Sequence, residues 1–290
     1  MVRSRLAASA LIVALALAAC TQEPEEGPQV HLLGDEDGVP VLDYPVPLLD
    51  PEPSLEVIWE GTGPVVREGD PVLLDFYSES GTDASVIGET YTSEPRAYRL
   101  TRADLGDDLV EALAGRPVGT RLLQVIPAGP DQPDPVVAVM DLRPTRASGD
   151  PVEPRADLPV VTLADNGTPR VEVPAAAPPT DLVIQPLLRG TGPQVGPGQV
   201  VTVQYLGVRW SDGTEFESTW GEDGLPAAFP IGVGSVIPGW DAGLVEQTVG
   251  SQVLLVVPPE LGYGGTVNAL ADETLVFVVD ILAASGGPED

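Results

Sequence analysis

The residues best suited to form a site lie in one stretch, residues 233–263, which reads VGSVIPGWDAGLVEQTVGSQVLLVVPPELGY. Val236, Ile237 and Trp240 gather at the start of a short predicted helix. A predicted strand should then bring Tyr263 back to the same place. These side chains offer apolar surface, one large aromatic floor and one hydroxyl. The stretch therefore predicts an apolar, water-poor pocket with an aromatic floor.

Residue counts exclude several other kinds of site. The chain has one His, His31, and one Cys, Cys20, which excludes a His/Cys metal cluster, a Cys-His dyad and a Ser-His-Asp triad within one chain. Its 44 acidic and 14 basic residues give a formal net charge of −30. No basic stripe is available to neutralise nucleic-acid phosphates, and the acidic surface serves solubility instead. We expect no metal, no cofactor and no nucleic-acid partner.

Strand patterns dominate the segments that must position the pocket. Residues 199–206 alternate apolar and polar side chains, as in a strand with one buried face. Residues 252–257 and 274–282 are more continuously apolar, which is typical of central strands. The helical signal spans 238–247, with Pro early and Gly250 beyond its end. One short helix packed across an antiparallel sheet predicts an α+β fold with a cavity at one end of the contact.

The N-terminus resembles the signal peptide of a bacterial lipoprotein. Arg3 and Arg5 precede an apolar run, 6–19, that is too short to span a bilayer but suits a secretory signal. The run ends Leu-Ala-Ala-Cys, like a lipobox, so residues 1–20 are expected to be a lipoprotein signal peptide with its lipobox Cys. Cleavage before a lipidated Cys20 would make this residue the mature N-terminus. The alternative is an ordinary signal peptide followed by a chance Cys. Several acyl chains would anchor the protein firmly outside the cytoplasmic membrane.

Residues 21–54 are rich in Pro, Glu, Asp and Gly and contain few apolar side chains. This composition predicts a flexible acidic tether that builds no core of its own. His31 lies within it and is expected to be solvated, not a ligand.

The rest of the chain repeats itself. The sequence EGTGP at 60–64 is echoed by RGTGP at 189–193, and VGT at 118–120 is echoed by VGS at 249–251. The offset between these matches drifts only from 129 to 131, which predicts two copies of one domain, 55–145 and 181–286. The linker 146–180 is rich in Pro and Gly. Within it, 160–163 and 171–173 could pair as a small hairpin that docks on the second copy.

Six motifs of the second copy occur in an order and at spacings that resemble FKBP-type peptidyl-prolyl cis-trans isomerases. They are GTG at 190–192, QYLG at 204–207, DG at 212–213 followed by FES at 216–218, VIPGW at 236–240, LGYG at 261–264, and TLVFVVDIL at 274–282. The resemblance covers nearly all of about 100 residues and implies two FKBP-like domains, each an antiparallel sheet wrapped on one short helix. The first copy resembles the family mainly through the second.

The resemblance also implies roles for individual residues. Trp240 would form the floor under a prolyl ring. The backbone N–H of Ile237 and the hydroxyl of Tyr263 would each bind a substrate carbonyl, and Glu217 would face the twisted amide. The walls would be Tyr205, Phe216, Val236, Ile237 and Phe277, with Phe229 as a further substrate contact. The alternative is that these are ordinary core aromatics.

This chain departs from the family pattern at several places. Glu217 stands where the family usually has Asp, Ala227 stands at a position that is often aromatic, and the loop after Tyr263 is short. These changes leave the rate and the preference for the residue before Pro open. The first copy departs further. Phe76 occupies the position of Tyr205, Leu109 that of Trp240 and Ala138 that of Phe277, and Tyr263 has no counterpart. We therefore expect the first copy to be inactive.

Together these features predict a prolyl isomerase, lipid-anchored on the outer face of the bacterial cell membrane, that acts on proline-containing exported polypeptides as they fold. One alternative is a non-catalytic peptide-binding chaperone that uses the same pocket. Another is a structural envelope lipoprotein with Trp240 and Tyr263 inaccessible.

Overall fold

The computed structural model describes residues 30–34, 38–130, 132–221 and 223–287, so Cys20 and the predicted signal peptide lie outside the described residues. The strands are β1 (His31–Leu33), β2 (Val41–Asp43), β3 (Ser54–Trp59), β4 (Pro71–Ser80), β5 (Val86–Glu89), β6 (Arg96–Arg99), β7 (Arg121–Ile126), β8 (Val136–Arg143), β9 (Asp150–Pro151), β10 (Val160–Leu163), β11 (Pro169–Glu172), β12 (Val183–Arg189), β13 (Val200–Arg209), β14 (Glu215–Ser218), β15 (Ala227–Pro230), β16 (Gln252–Val257) and β17 (Leu275–Ser285). The helices are α1 (Arg102–Leu113) and α2 (Pro238–Leu244), with one 3-10 turn (Pro259–Leu261). This is an α+β fold. Among the described residues no helix has both the length and the apolarity to cross a membrane.

Two large antiparallel sheets share one strand order. The first runs β3-β7-β8-β4-β5, with β6 also paired to β4. The second runs β9-β12-β16-β17-β13-β14, with β15 also paired to β13. We call residues 54–143 the first unit and residues 183–285 the second unit. Each contains one sheet and one α-helix, joined in the same sequence of elements.

The strand registers match residues of the two units one to one. Phe76 pairs with Met140 in the first sheet, and Tyr205 pairs with Val279 in the second. Two residues further along, Ser78 faces Ala138 and Gly207 faces Phe277. Phe76 therefore occupies the position of Tyr205, and Ala138 that of Phe277, as the repeat in the sequence predicts.

The inner face of the second sheet carries the core beneath α2. Every residue of β16 is buried, as are the first eight of β17, which fits their prediction as central strands. The alternation in β13 sends Val201, Val203 and Tyr205 into this core. Helix α2 ends at Leu244, three residues earlier than predicted. Glu246 has a left-handed backbone, with φ of 68°, and its N–H donates to the carbonyl of Val195.

The outer face of each sheet is covered by a hairpin that precedes it in the chain. Strands β10 and β11 pair with Val161 opposite Val171, and this hairpin packs with Leu158 on the outer face of the second sheet. The predicted linker hairpin and its docking are therefore confirmed.

The predicted flexible tether is wrong for the described part of 21–54. Strands β1 and β2 pair antiparallel, and Leu32, Leu42 and Tyr44 pack with the buried Leu48 on the outer face of the first sheet. These few apolar residues build no core alone, but they complete one by covering apolar strand residues such as Val137. His31 lies in β1 with its side chain exposed.

Candidate active site

Four aromatic rings from four different elements meet at one end of α2. Trp240 lies at their centre, with ring centroids 5.0 Å from Tyr205, 5.5 Å from Phe229 and 5.4 Å from Phe277. All three contacts are edge-to-face, with interplanar angles of 87°, 82° and 84°. Such contacts hold each ring by the edge of its neighbour, in the arrangement that aromatic quadrupoles favour. The floor of the site is therefore a closely packed group of aromatic rings.

Local sequence explains why α2 presents Trp240 to the sheet. Pro238 occupies the first turn, where its missing N–H costs no helical hydrogen bond. The Asp241 carboxylate accepts the N–H groups of Gly232 and Gly234, at 2.7 Å each, and so fixes the loop that leads into the helix. Gly239 lets the helix approach β16 closely, because a Cβ there would lie 2.5 Å from a methyl group of Val257.

These rings open into a cavity of about 470 Å³ that we call the aromatic pocket. Val236 and Ile237 form one side of its rim, Tyr263 another, and the exposed Glu217 of β14 a third. The full lining is Tyr205, Glu217, Phe229, Ser235, Val236, Ile237, Pro238, Trp240, Gly262, Tyr263 and Phe277. Its size is that of a small-ligand site. Most of its lining side chains are apolar or aromatic, and the hydroxyls of Tyr205, Ser235 and Tyr263 and the Glu217 carboxylate add polar groups.

Apart from the Glu217 carboxylate, the pocket offers groups that can donate hydrogen bonds at neutral pH. Burial, and next the neighbouring Glu217 carboxylate, raises the pKa of Tyr205, and the same two causes raise the pKa of Tyr263. Both phenols therefore stay protonated. Ile237 is the N-cap residue of α2, so its N–H lies outside the helical hydrogen-bond pattern. The buried Trp240 Nε1 has no partner among the described residues.

The structure brings together nearly all of the predicted site residues. Tyr205, Glu217, Val236, Ile237, Trp240, Tyr263 and Phe277 line the pocket, and so does Phe229. Phe216 does not line it. Its ring contacts Phe277 edge-on at 5.6 Å and so supports a wall from outside the cavity. Ser235, Pro238 and Gly262 line it without having been predicted as site residues. Pro238 and Gly262 belong to the VIPGW and LGYG motifs, and Ser235 directly precedes VIPGW.

We call the rings of Tyr205, Phe229, Trp240 and Phe277 the aromatic box. The corresponding place in the first unit has no such group of rings. Leu109 stands for Trp240, and Ala138 for Phe277, so two of the rings are missing. The guanidinium of Arg96 lies over the ring of Phe76, 5.5 Å from its centroid. A charged side chain therefore occupies the neighbourhood that the second unit leaves apolar.

Comparison with known proteins identifies relatives of the second unit. Residues 192–282 match the family model described as FKBP-type peptidyl-prolyl cis-trans isomerase. An FK506-binding protein of Streptomyces anulatus is 41% identical over 119 residues, covering 40% of this chain and 95% of that protein. A protein of Corynebacterium glutamicum named "Probable FK506-binding protein" is 38% identical over 118 residues, covering 40% and 98%. The solved structure of FkpA from Escherichia coli is 33% identical, covers 44% of this chain and 53% of that chain, and has a TM-score of 0.34.

Proposed function

The chain belongs to the family of FKBP-type peptidyl-prolyl cis-trans isomerases, and from this we propose that the aromatic pocket is its active site. The observation that carries the proposal is the box of rings around Trp240, which lies within the matched residues and has no equivalent in the first unit. The substrate is a proline-containing polypeptide.

The reaction explains why such a pocket suffices. An X-Pro bond resists rotation by roughly 18 to 20 kcal/mol because amide resonance must be broken. Rotation forms and breaks no covalent bond, so neither a nucleophile nor an acid-base pair is needed. The twisted amide has lost resonance and is less polar than the planar one. A pocket that binds the twisted form better lowers the barrier, about tenfold for each 1.36 kcal/mol of differential binding.

Each group at the rim has a place in this scheme. The prolyl ring lies on Trp240 between Tyr205 and Phe277, where water is excluded. The Ile237 N–H and the Tyr263 hydroxyl bind carbonyls on either side of the rotating bond and hold the chain while it turns. Glu217 faces the opening from β14. These residue roles are part of the proposal, and the geometry of the pocket supports them.

We further propose that the first unit is a degenerate copy without isomerase activity, with domain limits near 55–145 and 181–286. The shared strand order and register support a common origin. The loss of two rings and the position of Arg96 support inactivity.

The cellular setting rests on the N-terminal sequence. We propose that Cys20 is lipidated and that the protein is held on the outer face of the bacterial cell membrane, where it acts on exported polypeptides as they fold. Growth with a radiolabelled fatty acid tests this, because a Cys20→Ala variant should lose the label that the native chain carries. Equal label in both variants would contradict the proposal.

The test of activity is the cis-to-trans rate of a short X-Pro peptide, read without a coupling protease. We expect the full chain to accelerate it and Trp240→Leu to lower kcat/KM at least about tenfold. Tyr263→Phe should lower it about fivefold, the effect of one hydrogen bond worth about 1 kcal/mol.

Leu109→Ala, at the matching position of the first unit, is the control and should leave the rate unchanged. A folded wild-type chain that binds the peptide without accelerating its isomerisation would overturn the proposal and point to a non-catalytic chaperone.

A further inference from the structure

A second cavity, larger than the aromatic pocket, lies between the two units. Its volume is about 910 Å³, and we call it the interunit cleft. The loop 62–71 of the first unit lines one part, and Gln204, Thr219 and Trp220 of the second unit line another, together with the connecting residues 144–148. Arg99 joins the two units at this place, because its guanidinium donates to the carbonyls of Gly221 and Gly224 at 3.4 and 3.0 Å.

Two side chains on the second-unit side of the cleft each contain one buried polar atom without a partner among the described residues. Gln204 is only 2% exposed, and its Oε1 has no hydrogen bond to any described residue. The Nε1 of Trp220 is likewise buried and unpaired among the described residues. Most buried polar atoms in folded proteins are paired, so each such atom calls for an explanation. Here one unpaired acceptor and one unpaired donor belong to residues that line the same cavity.

The first unit shows that the fold does not by itself leave polar atoms unpaired at these two positions. Asp75 and Tyr91 occupy the positions of Gln204 and Trp220. Asp75 accepts a hydrogen bond from Thr90 at 2.9 Å, and the Tyr91 hydroxyl donates to Asp141 at 2.8 Å. The polar groups at these two positions are therefore hydrogen-bonded within the first unit, which lacks the aromatic box. In the second unit, which has it, each position keeps an unpaired polar atom.

The rest of the cleft indicates the chemistry of an occupant. Val65 lies on its first-unit side with 49% of its surface exposed, beside Pro64. The charged lining is mixed, with Arg67, Arg99 and Arg146 against Asp70 and Asp165. Such a lining does not select a strongly charged ligand. A peptide group matches it, because its N–H and C=O complement one acceptor and one donor once the Gln204 and Trp220 side chains turn toward the cleft. Its side chains can cover Val65.

The cleft and the aromatic pocket are close neighbours. Gln204 and Tyr205 are consecutive in β13, so their side chains leave the strand on opposite faces, one toward the cleft and one toward the pocket. Glu217 lines the pocket and Trp220 lines the cleft, and three residues span at most about 11 Å. One extended polypeptide can therefore reach both cavities.

We propose that the interunit cleft binds a second segment of the polypeptide whose X-Pro bond is turned over in the aromatic pocket, and that this segment needs no proline. The identity of the ligand as a polypeptide rests on the proposed function. Binding at the cleft raises the effective concentration of nearby prolines at the pocket. The first unit then contributes a binding surface although it has no isomerase site.

The test uses the full chain and a fluorescent, permanently unfolded polypeptide in which every Pro is replaced by Ala. We expect the chain to bind this probe, and Val65→Asp to weaken binding at least about fivefold by placing a charge against the apolar side of the cleft. Val160→Asp adds the same charge at a Val that is 58% exposed and outside the cleft, and it should bind like wild type.

Two further variants separate the cleft from the pocket. Combining Gln204→Leu with Trp220→Phe removes the unpaired acceptor and donor and should also weaken binding of the probe. Trp240→Leu should keep it while losing isomerisation of a short X-Pro peptide. Val65→Asp should show the reverse, with unchanged isomerisation of the short peptide and weakened binding of the probe.

Equal binding by Val65→Asp and Val160→Asp, or loss of probe binding in Trp240→Leu, would overturn the cleft proposal and leave the isomerase proposal standing. Absence of short-peptide isomerisation in wild type with the probe still bound would overturn the isomerase proposal alone. Sedimentation velocity that shows self-association, abolished by Val65→Asp, would assign the cleft to a second copy of the chain and also overturn the proposal.

Discussion

Among the residues that line the aromatic pocket, Glu217 alone carries a charge, and it lies exposed at the opening. We predict that peptides with Arg before Pro are isomerised faster than peptides with Glu before Pro. The difference should be about threefold to fivefold, since exposed charge pairs contribute up to about 1 kcal/mol. Glu217→Gln should remove this preference, and added salt should weaken it. Glu215→Gln, two residues away on β14 and outside the pocket, is the control. A preference that persists in Glu217→Gln would show that another group sets it.

The buried Asp280 should make the free energy of unfolding depend on pH. Its carboxylate accepts the Ala147 N–H at 2.8 Å and the Gln252 side-chain amide at 2.7 Å, yet burial raises the pKa of Asp280 to about 6. Between pH of about 4 and about 6 the native state holds a proton that the unfolded state releases. The contribution of Asp280 to the free energy of unfolding is therefore complete below about pH 4 and lost as pH rises through about 6.

Urea unfolding of wild type and Asp280→Asn checks this. The stability of wild type relative to Asp280→Asn should fall by roughly 3 kcal/mol from pH 4 to pH 7, since each pKa unit corresponds to about 1.4 kcal/mol. A difference that stays constant over this range would contradict the raised pKa.

At the scale of elements, the contact between α2 and β16 holds the floor of the pocket. Gly239→Ala should destabilise the protein by about 1 to 3 kcal/mol, because the new methyl group would overlap Val257 and the core is already packed. The shift of α2 should also lower the isomerisation rate, because Trp240 follows directly in the helix. Gly196→Ala is the control, since a Cβ there meets nothing closer than 3.6 Å. Equal urea midpoints for the two variants would argue against close packing of the helix.

Sequence patterns predicted most elements of the second unit, because its strands are either alternating or wholly buried. The predicted strand 252–257 matches β16, and β13 and β17 each start one residue later and end three residues later than predicted. The end of α2 was misplaced because the left-handed backbone of Glu246 is stabilised by Val195, a contact distant in sequence. The role of Phe216 was missed for a similar reason. Whether an aromatic ring lines a cavity or supports its wall depends on packing that motif spacing does not specify.

At the scale of the whole molecule, each sheet depends on a cover supplied from outside its unit. Leu158, 3% exposed, packs beside the β10–β11 hairpin on the outer face of the second sheet. Leu158→Asp should destabilise the protein by about 2 to 5 kcal/mol, because it both removes buried apolar surface and buries a charge. Val160→Asp, in the same hairpin but exposed, should change the urea midpoint little. Comparable losses in both variants would mean that the hairpin is held by something other than this contact.

The cover of the first sheet could not have been predicted from local composition. Leu32, Leu42 and Leu48 are scattered among Pro, Asp and Glu, so the segment reads as too polar to fold. The segment folds because it covers the apolar outer face of the first sheet. The composition of a short stretch of sequence does not show that such a face exists elsewhere in the chain. The sequence repeat does not indicate this cover either, because the two cover hairpins share a position in the fold and not a sequence.

The cover hairpins also bear on how far the pocket of such a unit can change. A sheet and its helix alone would leave one apolar sheet face exposed, which favours aggregation. A unit whose outer face is covered by a hairpin buries both faces of its sheet. It can lack the rings of a pocket, as the first unit does, and keep its outer cover, since the outer hairpin and the pocket lie on opposite faces of the sheet.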